Sequence, residues 1–209
     1  MLIFDMDGVI TDSNGIWKEV DVAFLAKRGM EYTHAYYEGV AHTVFPLAAV
    51  FTKEYCHLEE STDEIMAEWM AMAGDVYATK VNLKPHVVEY LEQCRNRGEK
   101  MIVLTSAVPD HCRSALGRWN LFPYFEQVFF AQEIGIDKRD PTLYREVARR
   151  MGENPENCTV YDDSLAACTS AKSAGMTVVG VYDSYFHSTE SEMRKICDRF
   201  ITDFSELTK

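Results

Sequence analysis

The chain has 209 residues, 47% hydrophobic and 26% charged, which is long enough for one large domain or for a core with a smaller insert. Its formal net charge is -12, and no cluster of Lys and Arg is present to build the basic face of a nucleic-acid binder. No apolar run approaches a membrane span, the first residues lack the pattern of a signal peptide, and six scattered cysteines without a C-x-x-C pair predict free thiols in a cytoplasmic protein rather than zinc or disulfides.

Leu2, Ile3 and Phe4 form a short apolar run that predicts a buried strand of a parallel sheet, ending on Asp5. Asp7 follows two residues later, and Gly8 lets the backbone turn. Thr11 to Gly15 predicts a polar hinge, with Asp12 or Ser13 placed to cap a helix from about Ile16. From about 16 to 80 the pattern is helical. Trp17, Val20, Phe24 and Leu25 recur at helical spacing as far as Gly29, and the stretch near 33 to 38 is undecided. Val44 to Tyr55 and Ser61 to Thr79 predict two more helices, the second opening with the start signature Ser-Thr-Asp-Glu. Asn82 to Pro85 closes this insert with a second linker, with Pro85 at a helix start.

Beyond Pro85 helix and strand alternate. Strands are predicted at Met101 to Leu104, Val128 to Ala131, Thr159 to Tyr161 and Val178 to Val181. Between them lie helices at about Pro109 to Trp119, Thr142 to Met151 and Leu165 to Ala174. Such alternation predicts βαβ units and a parallel sheet.

Four strand ends then carry polar groups: Asp5 with Asp7, Thr105 with Ser106, Lys138 in a loop, and Asp162 with Asp163. In a parallel sheet these ends share one edge, so the four sets converge although they are distant in the chain. Each has an ordinary role of its own, as a turn, a cap or a solvated lysine. Those roles do not account for their joint placement. Four carboxylates and one ammonium at one edge suit a hard divalent cation that meets a substrate phosphate, which describes Mg²⁺. A strand-end hydroxyl and a lysine are donors for phosphoryl oxygens.

The stretches D-M-D-G-V (Asp5 to Val9), I-V-L-T-S (Ile102 to Ser106), K-R-D-P-T-L-Y (Lys138 to Tyr144) and V-Y-D-D-S (Val160 to Ser164), followed by A-K-S-A-G-M (Ala171 to Met176), resemble the haloacid dehalogenase-like superfamily of phosphotransferases in order and separation. The resemblance covers residues 1–13 and 85–209 as the catalytic core. Residues 14–84 resemble the helical cap of beta-phosphoglucomutase-like and phosphoglycolate-phosphatase-like members. It implies an α/β fold: a Rossmann-like parallel sheet with helices on both faces, plus an inserted α-helical cap domain.

The resemblance also implies roles. Asp5 would be the nucleophile that accepts the phosphoryl group, and Asp7 the general acid and base, its backbone carbonyl also binding Mg²⁺. Thr105, with Ser106 as the alternative, and Lys138 would hold the phosphoryl oxygens. Asp163, with Asp162 beside it, would join Asp5 in anchoring Mg²⁺. The expected activity is hydrolysis of a small phosphorylated metabolite through an aspartyl phosphate. A sugar phosphomutase is the alternative, and a catalytically idle binding protein a distant third. Three departures from the family pattern stand out: Arg139 where proline is usual, Ala167 where glycine is common, and no arginine in Gly39 to Thr43, where mutases carry one. Asp7 argues against dehalogenase or phosphonate-cleaving chemistry. In the insert Trp17, Glu19, His42 and Thr43 are the candidates for substrate contact. Nucleic acid and membrane are not expected as partners.

Overall fold

The computed structural model describes residues 1–40 and 45–208. At its centre is the first strand, β1 (Leu2–Phe4). It is followed by a two-residue strand β2 (Thr11–Asp12), then four helices: α1 (Ile16–Lys27), α2 (His34–Val40), α3 (Phe45–Tyr55) and α4 (Thr62–Thr79). After β3 (Asn82–Leu83) come α5 (Val87–Asn96), β4 (Met101–Thr105), α6 (Pro109–Arg118), β5 (Gln127–Phe130), α7 (Ala131–Ile134) and α8 (Pro141–Arg150). The remainder is β6 (Thr159–Asp162), α9 (Leu165–Ser173), β7 (Thr177–Val181), α10 (Glu190–Ile196) and β8 (Arg199–Ile201).

Six of the strands form one parallel sheet in the order β5-β4-β1-β6-β7-β8. Alternation along the strands divides the core in two. Ile3, Ile102, Leu104, Val160 and Val178 pack with Leu143, Tyr144, Val147 and Ala148 of α8, Cys168 and Ala171 of α9, and Met193 of α10. On the other face Phe4 stacks on Tyr161 with ring centroids 4.5 Å apart and meets Tyr90 of α5 edge-on. The run Leu2–Phe4 carries no polar residue because both its faces are covered, the condition of an interior strand in an α/β sheet.

The chain divides into two compact units, Met1–Asn14 with Val81–Lys209, and Gly15–Lys80. The second unit is all helical among its described residues. Trp69 of α4 takes Phe24 of α1 and Phe45 of α3 edge-on, and Arg28 lies over the Phe24 ring while paired to Glu60 and Glu68. The undecided stretch near 33 to 38 is helix α2, with Tyr36 buried and its hydroxyl bonded to Thr52. Gly39 lies in that helix rather than in a loop, and Ala41 to Thr43 lie outside the described residues.

Several local expectations are corrected. The two linkers are not separate polar arms. Thr11 pairs with Leu83 and Asp12 with Asn82 in an antiparallel ribbon. Lys84 N donates to Ile10 O, and its ammonium is held by Tyr182 O and the Asp183 carboxylate. Neither Asp12 nor Ser13 caps α1, whose N-cap is Gly15 without a side-chain bond. Pro85 precedes the start of α5, because His86 adopts φ 58° before Val87 begins the helix. Three further elements were not expected at all: α7, α10 and the edge strand β8.

Candidate active site

Asp5 continues β1 by one residue, and its N–H donates to Tyr161 O, which sets it level with Asp162 at the end of β6. Lys138 reaches this edge from the loop between α7 and α8. Its ammonium sits 3.0 Å from Asp5 Oδ1 and 2.5 Å from Asp162 Oδ2. Asp163 follows Asp162, and one carboxylate oxygen from each of Asp5, Asp162 and Asp163 lies within 4.8 Å of the others. Ser164 takes over the duty of capping α9 by accepting from Ala167 N, so neither aspartate is used as the cap. Asp140 caps α8 in the same manner, with Pro141 in its first turn, and so fixes the end of the Lys138 loop.

Thr105 ends β4 in the next strand position. It is buried, and its Oγ1 accepts from Ala107 N at 2.9 Å, which leaves the hydroxyl proton to donate. Ser106 is exposed. Beyond β1 the chain turns back through Gly8, whose φ of +77° suits glycine and whose N–H donates to Thr11 O. That turn presents Asp7, which accepts from Ser13 Oγ at 2.5 Å. Ser13 is in turn bonded to Thr11 Oγ1, and Thr11 donates to Met6 O. Asn14 Nδ2 donates to Asp163 Oδ2 at 2.6 Å.

The charges here do not balance without help. Burial pushes the Asp5 carboxyl up to about 7; Lys138 opposes this, while Asp162 and Asp7 add to it. Burial and then the charges of Asp162 and Asp5 hold Asp163 well above the carboxylate range. Burial works against the Lys138 ammonium, but Asp162 and Asp5 outweigh it and hold its pKa well above the usual lysine value. A cluster of acids that repel one another around one ammonium is short of positive charge. Oxygen donors converging within 4.8 Å supply a place for a hard cation. The residues present therefore fit a divalent ion such as Mg²⁺.

The structure thus brings Asp5, Lys138, Asp162 and Asp163 into direct contact or near contact. Thr105 stands at the neighbouring strand end, and Asp7 in the turn after β1. Trp17 and Glu19 belong to α1 of the helical unit, where Trp17 packs edge-on against Phe45. His42 and Thr43 lie outside the described residues. Ser13 and Asn14 are the site residues that sequence reasoning missed. Their only signal was the polar run after the Asp-x-Asp-Gly turn, which reads equally well as a hinge.

The family model described as haloacid dehalogenase-like hydrolase matches residues 1–175. A phosphorylated carbohydrates phosphatase of Thermotoga maritima is 26% identical over 184 residues, covering 88% of this chain and 85% of its own. Hexitol phosphatase B of Escherichia coli K12 is 24% identical over 182 residues, covering 86% and 82%. Among solved structures, a putative beta-phosphoglucomutase from Thermotoga maritima superposes with a TM-score of 0.85 at 24% identity, covering 96% of this chain and 93% of that one. At that identity the likeness speaks for the fold.

Proposed function

This chain belongs to the haloacid dehalogenase-like hydrolases and is a phosphoric monoester hydrolase, and we propose that it is a Mg²⁺-dependent phosphatase of small phosphorylated metabolites, working through an aspartyl phosphate on Asp5. The observation that carries this reading is the meeting of Asp5, Lys138, Asp162 and Asp163 at the carboxyl ends of β1 and β6. Asp5 and Asp163, with Asp162 beside them and the main-chain carbonyl of Asp7, would hold the ion. Bound there, it would supply positive charge at the phosphoryl oxygens.

In the first step a carboxylate oxygen of Asp5 attacks phosphorus, and the P–O bond to the substrate breaks as Asp7 gives its proton to the leaving oxygen. Lys138 faces both Asp5 and the incoming negative charge. The Thr105 hydroxyl donates to a phosphoryl oxygen. In the second step Asp7, now a carboxylate, takes a proton from water. The oxygen of that water attacks phosphorus, and Asp5 and inorganic phosphate are released.

The names of the relatives point to phosphorylated sugars and sugar alcohols as the first substrates to assay. Six free thiols fit a reducing, cytoplasmic setting. Hydrolysis of p-nitrophenyl phosphate, followed with and without Mg²⁺, tests the reading directly. Asp5→Asn keeps the shape of the side chain but removes the nucleophile, and turnover should fall by about a thousandfold or more. Activity within tenfold of wild type would remove Asp5 from that role. Interconversion of a sugar 1-phosphate and 6-phosphate, without release of phosphate, would identify a mutase instead.

A further inference from the structure

Asn14 and Asp163 are 149 residues apart in the chain, yet the Asn14 amide donates to Asp163 Oδ2 at 2.6 Å. Asp163 is 3% exposed and Asn14 half-buried, so the bond is partly shielded from water. The space for it comes from Gly8. A Cβ built on Gly8 would stand 1.9 Å from Asp163 Oδ2 and 2.4 Å from Asn14 Nδ2. The amide and carboxylate therefore lie in the slot that a missing side chain leaves. The glycine of the Asp-x-Asp-Gly turn has two separate reasons to be there: its positive φ and this close approach.

The kind of donor also matters. Lys138 holds Asp5 and Asp162 with a full positive charge. Asp163 is held instead by a neutral amide, which fixes a carboxylate without cancelling its charge. The amide takes one acceptor position on Oδ2, and a carboxylate has further lone-pair sites with which to meet a ligand. Groups that orient a ligating carboxylate in this way tune affinity for the ion as strongly as they do for histidine ligands.

We propose that Asn14 is a positioning residue for the cation site, holding the Asp163 carboxylate in the orientation in which it ligates Mg²⁺. This rests on the reading of Asp163 as a Mg²⁺ ligand, and the test separates the two. Mg²⁺ is titrated calorimetrically into the full-length protein without substrate, for wild type, Asp163→Ala, Asn14→Leu and Asn14→Ala. Leucine keeps the bulk of asparagine without its donor, and alanine removes the side chain without adding volume.

Wild type should bind, and Asp163→Ala should lose measurable binding. Both Asn14 variants should bind with Kd raised by about tenfold or more. Their melting temperatures without Mg²⁺ should stay near wild type, a readout that a merely structural role would move. In steady-state assays the Mg²⁺ concentration at half-maximal rate should rise with Kd, and excess Mg²⁺ should recover the rate. Wild-type binding lost in Asp163→Ala but unchanged in both Asn14 variants overturns the role of Asn14 and leaves the metal reading standing. Absence of binding in wild type overturns both. Unfolding of both Asn14 variants before Mg²⁺ is added would make Asn14 a structural residue and overturn the proposal.

Discussion

Ser13 and Asn14 are adjacent, and each gives its side chain to a different carboxylate, Asp7 and Asp163. Neither bond is visible in a sequence pattern, because periodicity reports which face of an element is apolar, not which polar groups meet after a turn. Asp5 and Asp163 were legible because carboxylates recur at strand ends that a parallel sheet gathers on one edge, and Lys138 because it lies in the loop that follows another of those strands, although the short helix α7 between them was not foreseen. A half-buried acid in the helical unit shows how far burial alone can act. Asp21 of α1 is pushed up to about 6 by burial, against which a weak bond from the Tyr36 hydroxyl works. A carboxyl raised in the fold favours the protonated form, so its contribution is most favourable below the unfolded pKa near 4 and is lost as pH rises toward 6. Asp21→Asn should therefore raise the melting temperature relative to wild type. The difference should be small at pH 4 and grow to its full size above pH 6. A difference that is constant across that range would show that Asp21 does not titrate there.

At the scale of elements, the strands of the sheet were found from short apolar runs, correct to within one residue for β1, β4, β5, β6 and β7. The edge strand β8 was not, since Arg199, Phe200 and Ile201 are too few to form a pattern and only one face needs to be apolar. Helix α2 was undecided for a similar reason: in seven residues it carries one buried side chain, Tyr36, and a glycine. Helix α4, by contrast, announces its start. Ser61 Oγ accepts from Glu64 N while the Glu64 carboxylate accepts from Ser61 N at 2.8 Å, a complete capping box ahead of eighteen helical residues. Ser61→Ala removes one half of it and should cost about 1 kcal/mol. That corresponds to a fall of roughly 2 to 4 °C in melting temperature for a chain of this size. Thermal denaturation followed by circular dichroism checks the value, and a loss too small to measure would mean that α4 is held by its packing on Trp69 and Ile65 alone.

Taken whole, the molecule places its first strand between β4 and β6, so the residues after β1, β4 and β6 meet although the chain between the first two includes the entire helical unit. We expect that unit to set substrate choice, since the groups described at the sheet edge of the core are suited to phosphate and cation. Replacing residues 16–80 by a short Gly/Ser linker should keep turnover of p-nitrophenyl phosphate and flatten the preference across a panel of phosphorylated metabolites. A trimmed core with the wild-type preference would refute this. The trimming is feasible because the ribbon of Thr11–Asp12 with Asn82–Leu83 already brings the two cut ends side by side. The same ribbon has a consequence for descent. Any insert whose ends lie about 5 Å apart satisfies it, whatever the fold or length between them. Recombination and duplication can then exchange the insert as a cassette while the sheet and its acids stay under separate selection. A lineage built this way would diversify its substrates quickly and its chemistry hardly at all.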